Sequence, residues 1–251
     1  MMKVVDVSKW NKVTDWKKVK ASGVDGVVIR AGYGKLITQK DCTFNSYYDG
    51  AKDAGLHIGA YWYSYAQTAE TAKTEAHVFM QAIGGKTFDL PVYMDIEEPS
   101  QVKLSKAVCT DIVNAFCGEL EAAGYYAGVY SFDGFYATNL PSDIGNRFTA
   151  WVARVENIKP MYCKRYDMWQ HSWAGAIDGI TGKVDVDELY KDFPTLIPRL
   201  TRNGYSASEQ AKICITARIA GLKKSDAVKI ADACQKMGMT VVQSEEDCCY
   251  E

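Results

Sequence analysis

Leu90-Pro91-Val92-Tyr93-Met94-Asp95-Ile96-Glu97-Glu98 is an apolar, β-branched and aromatic run that ends abruptly in acids. A short run of this kind, opened by proline and lacking hydrophobic alternation, reads as a strand buried on both faces, as in a parallel sheet. Asp95 and Glu97 are two residues apart, so continued strand geometry sends both to one side and Ile96 and Glu98 to the other. When parallel strands close into a barrel, their C-terminal ends gather on one face, where barrel enzymes keep their chemistry.

The same kind of run recurs on either side of this stretch. Residues 3–7, 26–31, 57–65, 91–96, 125–131 and 149–153 read as buried strands, while 16–21, 45–54, 68–83 and 105–123 between them show helical spacing. Gly55 and Gly124 follow two of these helices as C-terminal stops. Such alternation implies βαβ units. Two further strands, 166–171 and 183–186, have little helix between them, so the last third is expected to close through shorter, partly antiparallel elements. The expected fold is an irregular TIM-like α/β barrel over residues 1–198.

After Pro198 the polar segment 201–210 carries the turn dipeptide Asn203-Gly204 and reads as a boundary. Residues 199–251 are then expected to form a small C-terminal βαβ-type module. Its strands would be 212–217 and 239–244, around a helix at 225–237 with Ser225 at the cap and Gly238 at the stop. A unit this small buries too little apolar area to stand alone, so it should dock on the barrel or pair with a second copy.

The chain has 251 residues, 47% of them hydrophobic, enough for one substantial core. A net charge of -2 supplies no global basic field, which argues against nucleic acid and anionic membrane surfaces as partners. No stretch approaches the roughly 18 apolar residues of a membrane span, so no membrane insertion is expected. The amino terminus lacks the apolar core of a secretion signal, and the expected site of synthesis is the cytoplasm without Sec export. The 8 cysteines show no CxxC pairing and read as reduced thiols. Tyrosine (16) and tryptophan (6) are abundant, and such side chains join an apolar face to a polar edge, as sugar rings require.

Acids converge on one mouth in this arrangement. Asp6 ends the first strand, Asp95 and Glu97 end the fourth, and Asp185 lies in Gly182-Lys183-Val184-Asp185-Val186-Asp187. Glycosidic cleavage needs one carboxylic acid to protonate the leaving oxygen and negative charge to support an oxocarbenium-like transition state. Crowding and partial burial disfavour ionisation and so hold one carboxyl group protonated near neutral pH. Glu97, with the longer side chain past the strand end, is assigned that role, while Asp95 and Asp6 orient or stabilise. Convergent carboxylates also suit ordinary ion pairs or a divalent cation, and both alternatives stay open at this point. Tyr61 and Tyr63 lie two apart on the third strand, Tyr63 read as a sugar contact and Tyr61 as either sugar contact or core. Tyr33 and Trp151 either line the groove or pack, and Gln170 is placed to bond a sugar hydroxyl or amide. His171 is read as structural, because no Ser or Cys nucleophile pattern accompanies it.

Several pieces fall in a telling order: Val5-Asp6-Val7-Ser8 followed by Trp10, Gly26-Val27-Val28-Ile29-Arg30-Ala31, Gly59-Ala60-Tyr61-Trp62-Tyr63, Met94-Asp95-Ile96-Glu97, and Trp169-Gln170 before Val184-Asp185-Val186. With this order and spacing, residues 1 to about 198 resemble the glycoside hydrolase family 25 muramidases, which include phage endolysins and bacterial and fungal lysozymes. The resemblance implies a (β/α)5β3 barrel that hydrolyses the β-1,4 bond between N-acetylmuramic acid and N-acetylglucosamine of bacterial peptidoglycan. It further implies Glu97 as general acid, Asp95 beside it, Asp6 and Asp185 completing the set, and no metal or cofactor. For Asp95 two roles stay open, orienting the substrate 2-acetamido group as internal nucleophile or supporting the cation itself.

On this reading the C-terminal module would bind a wall component or assemble chains into a homo-oligomer, and an enzyme without a Sec signal would reach the wall through a holin or lysis. One rival is a noncatalytic wall-glycan binder on the same barrel, for which Asp6, Asp95 and Glu97 together would have no chemical use. A second rival is a chitinase-type hydrolase, whose longer DxxDxDxE run is absent here, since Leu90-Pro91-Val92-Tyr93 lacks the earlier acids.

Overall fold

The computed structural model describes residues 1–155 and 158–206. Ten strands and eight α-helices follow in the order β1 (Met2–Val7), β2 (Lys12–Val13), α1 (Trp16–Ala21), β3 (Gly26–Tyr33), α2 (Phe44–Asp53), β4 (His57–Tyr63), α3 (Ala69–Ile83), β5 (Val92–Asp95), α4 (Pro99–Val102), α5 (Lys106–Ala122), β6 (Ala127–Phe132), α6 (Asp133–Thr138), α7 (Ile144–Arg147), β7 (Thr149–Ala153), β8 (Met168–Gly175), β9 (Ile180–Thr181), β10 (Val184–Leu189) and α8 (Phe193–Arg199). Eight strands close into a barrel in the order β1-β10-β8-β7-β6-β5-β4-β3. All neighbours are parallel except β10, which runs antiparallel to both β1 and β8. The irregular α/β barrel expected from the sequence is therefore present, and its antiparallel part is one strand.

Both faces of the strands are covered, which is why their sequences read as unbroken apolar runs. Outward-facing Val5, Val27, Ile58, Val92 and Met94 join the layer beneath the helices, where Phe79 of α3 packs on Phe116 of α5 with ring centroids 6.2 Å apart. Inward-facing Val4, Val28, Tyr93, Trp151 and Met168 fill the barrel itself. Large rings fit there because β6 presents Gly128, whose Cβ would lie 2.4 Å from the Tyr93 ring. Helices α1, α3 and α5 begin on side-chain caps, Asp15, Thr68 and Ser105, each accepting from first-turn N–H groups. Gly55 and Gly124 stop α2 and α5 with left-handed φ of 73° and 87°.

Strand β5 ends at Asp95, so period-two alternation does not extend to Glu98. Instead Glu98 is the N-cap of α4, which Pro99 opens. The two-residue ladder between β2 and β9, and the short helices α4, α6, α7 and α8, carry too few residues for a sequence period to show.

The chain does not leave the barrel at Pro198. Asn203, fully buried and at φ 55°, closes the barrel floor: its side chain accepts from the Tyr126 N–H and donates to the carbonyls of Phe88 and Leu90. Its backbone bonds Gly124 and Phe88, and Tyr205 Oη donates to Asp89 at 2.7 Å. Replacing Asn203 by alanine strands three buried backbone groups and puts a Cβ residue without a local hydrogen bond at positive φ, an expected loss of about 3–5 kcal/mol. Urea unfolding checks this through a lower midpoint at unchanged m-value.

Residues 207–251 lie outside the described residues. The expected strands 212–217 and 239–244, the helix 225–237, pairing through them, and Cys214, Cys234, Cys248 and Cys249 fall there. The four described cysteines, Cys42, Cys109, Cys117 and Cys163, are free thiols. Among the described residues no helix is long and apolar enough to cross a membrane.

Candidate active site

Antiparallel β10 begins at the barrel end where the parallel strands finish, and this brings distant acids together. Asp6 of β1 pairs with Asp185 of β10, and Asp95 of β5 pairs with Tyr63 of β4 and Tyr130 of β6. Asp6, Asp95, Glu97 and Asp185 thus share one mouth. Asp95 is 3% exposed and Asp6 7%, whereas Glu97 and Asp185 are half-buried and face the opening.

The electrostatics follow from burial and like charge. Burial, then the Asp185 and Glu98 carboxylates, push Glu97 up to about 7, so it holds a proton near neutral pH. Burial raises Asp185 to about 6. Asp95 is raised by burial, Glu97 and Asp6, with Arg30 opposing. Asp6 is raised by burial and Asp185, while the Gln170 amide pulls it down.

Beneath the acids lies an aromatic floor. Trp151, buried inside the barrel, packs on Tyr130, Tyr93 and Tyr61 at centroid distances of 4.4, 5.2 and 6.1 Å and donates from Nε1 to Asp187 at 2.7 Å. Of its two expected roles, Trp151 fills the packing one. Gln170, expected to meet sugar, is buried and fully engaged: Nε2 donates to Asp6 at 2.8 Å and Asp185 at 3.4 Å, while Oε1 accepts from Tyr130 Oη at 2.8 Å and Trp173 Nε1 at 3.0 Å. Placement at depth, with every polar atom bonded, makes Gln170 a brace for the acids. His171 packs against Trp169 and takes no part in the cluster.

Nearer the surface, Tyr63 donates to Glu98 Oε2 at 2.8 Å, so Glu98 turns toward the mouth although alternation aimed it away. Lys9, Trp10, Arg30, Tyr33, Tyr63 and Tyr65 line a cavity of about 270 Å³ beside the acids. Across the mouth, Phe132, Asp133, Arg154, Tyr162 and Trp173 line another of about 320 Å³. Trp10 and Trp173 are 78% and 56% exposed, unlike the buried ring of Trp151.

Sequence reading missed Arg30, Glu98, Tyr130, Trp173 and Asp187 as members of the site. The parity signal was available for three: Arg30 interrupts an apolar strand at an inward position, Tyr130 follows Gly128 by two, and Asp187 follows Asp185 by two. Arg30 is held by Asp41, whose carboxylate accepts from Arg30 Nε at 2.9 Å, the Lys9 N–H, and the Thr43 N–H and hydroxyl. Among the described residues no group of three His, Cys, Asp or Glu side chains is arranged to hold a metal ion. What the mouth can do is give a proton from Glu97 and keep negative charge within reach of the same substrate atom.

The family model for glycosyl hydrolases family 25 matches residues 5–180. Over 190 residues the chain is 34% identical to the autolytic lysozyme of Clostridium acetobutylicum, covering 75% of this chain and 56% of that protein. The chain thus spans little more than half the length of that relative. Among solved structures, the CTP1L endolysin superposes with TM-score 0.67 at 26% identity, covering 78% of this chain and 69% of that one. The modular autolysin LytC of Streptococcus pneumoniae, solved with a synthetic peptidoglycan ligand, gives TM-score 0.64 at 27% identity over 74% of this chain and 46% of its own.

Proposed function

The chain belongs to glycosyl hydrolases family 25, and from that premise we propose that it is a peptidoglycan hydrolase cutting the β-1,4 bond between N-acetylmuramic acid and N-acetylglucosamine. The observation that carries this reading is Glu97, a half-buried carboxyl group held near pKa 7 at a mouth rimmed by further acids. Relatives described as an autolytic lysozyme, an endolysin and an autolysin bound to a peptidoglycan ligand support the substrate class.

Around the rim, acids and aromatic flanks alternate. Strands β3 and β4 carry Tyr33 and Tyr63, with Tyr65 just beyond β4, β5 leads to Glu97, β6 and β8 carry Phe132 and Trp173, and β10 with β1 brings Asp185 and Asp6. A glycan laid from one aromatic flank to the other passes between Glu97 and the Asp6–Asp185 pair. Glu97 protonates the bridging oxygen as the C1–O bond breaks. Asp95 Oδ1 is buried and has no donor, which suits it to accept the N–H of the 2-acetamido group, whose carbonyl oxygen then closes on C1. Water then attacks C1, breaking its bond to the acetamido oxygen and restoring the acetamide, and gives its proton back to Glu97.

Trp10→Ala and Trp173→Ala are each expected to raise KM on wall glycan about three- to tenfold at nearly constant kcat, since each removes stacking worth roughly 0.5–1.5 kcal/mol. Steady-state rates on solubilised glycan strands check this. Turnover separates the enzyme from a noncatalytic binder: reducing ends should accumulate on purified peptidoglycan far beyond the moles of protein added. Saturable binding without new ends would replace this reading with the binder.

A further inference from the structure

Asp187 is fully buried within the barrel, below the rim acids, and one of its oxygens faces the wrong kind of partner. Oδ1 accepts from Trp151 Nε1 at 2.7 Å, but Oδ2 meets no N–H or O–H donor. The group against it is the carboxyl of Asp6. Two carboxylates in contact, shielded from water, would place acceptor against acceptor and charge against charge, an arrangement that burial makes strongly unfavourable. A single proton between them satisfies every atom.

The neighbours decide where that proton sits. Asp6 Oδ2 accepts from Gln170 Nε2, and that amide cannot turn over because its Oε1 already takes Tyr130 Oη and Trp173 Nε1. A fixed donor favours charge on Asp6. Asp187 is deeper, two residues along β10 from the Asp185 that faces Asp6. The groups acting on it are Asp6 of β1, Asp185 of β10 and Trp151 of β7, while its own charge would bear on the unpartnered Tyr93 hydroxyl of β5, and among the described residues no cation acts on it. In the acid form its carbonyl oxygen accepts from Trp151 and its hydroxyl donates to Asp6.

We propose that Asp187 is a neutral positioning residue that donates its carboxyl proton to Asp6, fixing Asp6 as the ionised and oriented member of the pair beneath the substrate. Its part in turnover rests on the muramidase reading; its protonation does not. The chemistry is that of an amide side chain, since the acid shows one acceptor and one donor to fixed partners. Asparagine at 187 can therefore take over both contacts, and leucine, of similar size, neither.

The test compares pH–rate profiles of wild type, Asp187→Asn and Asp187→Leu with infrared spectra of the resting proteins. Asp187→Asn should hold both limbs of the profile near their wild-type positions and keep the rate within about threefold, as rescue by a like donor requires. Asp187→Leu removes a charged-group hydrogen bond worth about 1.5 kcal/mol or more, so the acidic limb should move up by about one pH unit. At about pH 9, where Glu97 has lost its proton, the wild type should show a carboxylic-acid C=O band that is missing from Asp187→Asn, and this readout needs neither turnover nor a folded leucine variant. Overturning results are the absence of that band, or a downward shift of both limbs by about a unit in Asp187→Asn, as loss of a buried negative charge would give. A protein that cuts no glycan yet keeps the band would defeat the muramidase reading and leave Asp187 neutral.

Discussion

Replacing Glu97 by glutamine is expected to lower kcat about a thousandfold while KM stays within a few fold, because the amide keeps the shape and loses the transferable proton. The wild-type rate should fall as pH rises above about 7, where Glu97 loses its proton, and fall again at low pH as the supporting acids take up protons. The stability effect has the opposite sign to the activity effect. The Glu97 pKa is raised in the folded protein, so the wild type is best stabilised below the ordinary glutamate range and loses that contribution as pH rises through about 7. Glutamine cannot ionise. The variant should therefore unfold at higher denaturant than wild type at pH 8 and at nearly the same denaturant at pH 4. Loss of activity with gain of alkaline stability would mark Glu97 as a functional acid and not a structural one.

Asp95→Asn should be nearly as damaging, a loss of about a hundred- to a thousandfold in kcat. Asp95 is almost fully buried beside Glu97 and has one oxygen without a partner. The asparagine oxygen still accepts a hydrogen bond from the 2-acetamido N–H, but the negative charge that supports the positive charge growing on that group as its carbonyl closes on C1 is gone. Steady-state rates at the pH of maximal activity, with circular dichroism to confirm the fold, check this. An intact rate would remove Asp95 from the chemistry.

Much of this arrangement was legible in the sequence because the barrel writes its period plainly. The strand at 149–153 and the helix at 16–21 coincide with β7 and α1 residue for residue. Asp6 and Asp95 could be picked out because strand ends in a parallel barrel share one face, and Glu97 lies just past the end of β5, whereas Asp185 joins them from the start of antiparallel β10. Depth along the barrel was not legible. Trp151 and Gln170 lie on strands that reach the mouth, yet the stagger of neighbouring strands sets both below the rim, where one packs and the other braces Asp6. Glu98 escaped for a different reason, since β5 stops at Asp95 and helix α4 re-aims the residue that alternation had turned away. The run past Pro198 looked like a linker because Asn-Gly is a turn pair. Here the left-handed Asn203 is a floor plug whose partners, Phe88, Leu90 and Tyr126, lie far away in sequence.

The most direct measurement is the identity of the sugar end made. Purified peptidoglycan digested with wild type and with Glu97→Gln, reduced with borohydride and analysed by mass spectrometry, should yield reduced N-acetylmuramic acid from the wild type and only background from the variant. Reduced N-acetylglucosamine ends, or muramic ends released equally by both proteins, would contradict the assignment of a muramidase with Glu97 as its acid.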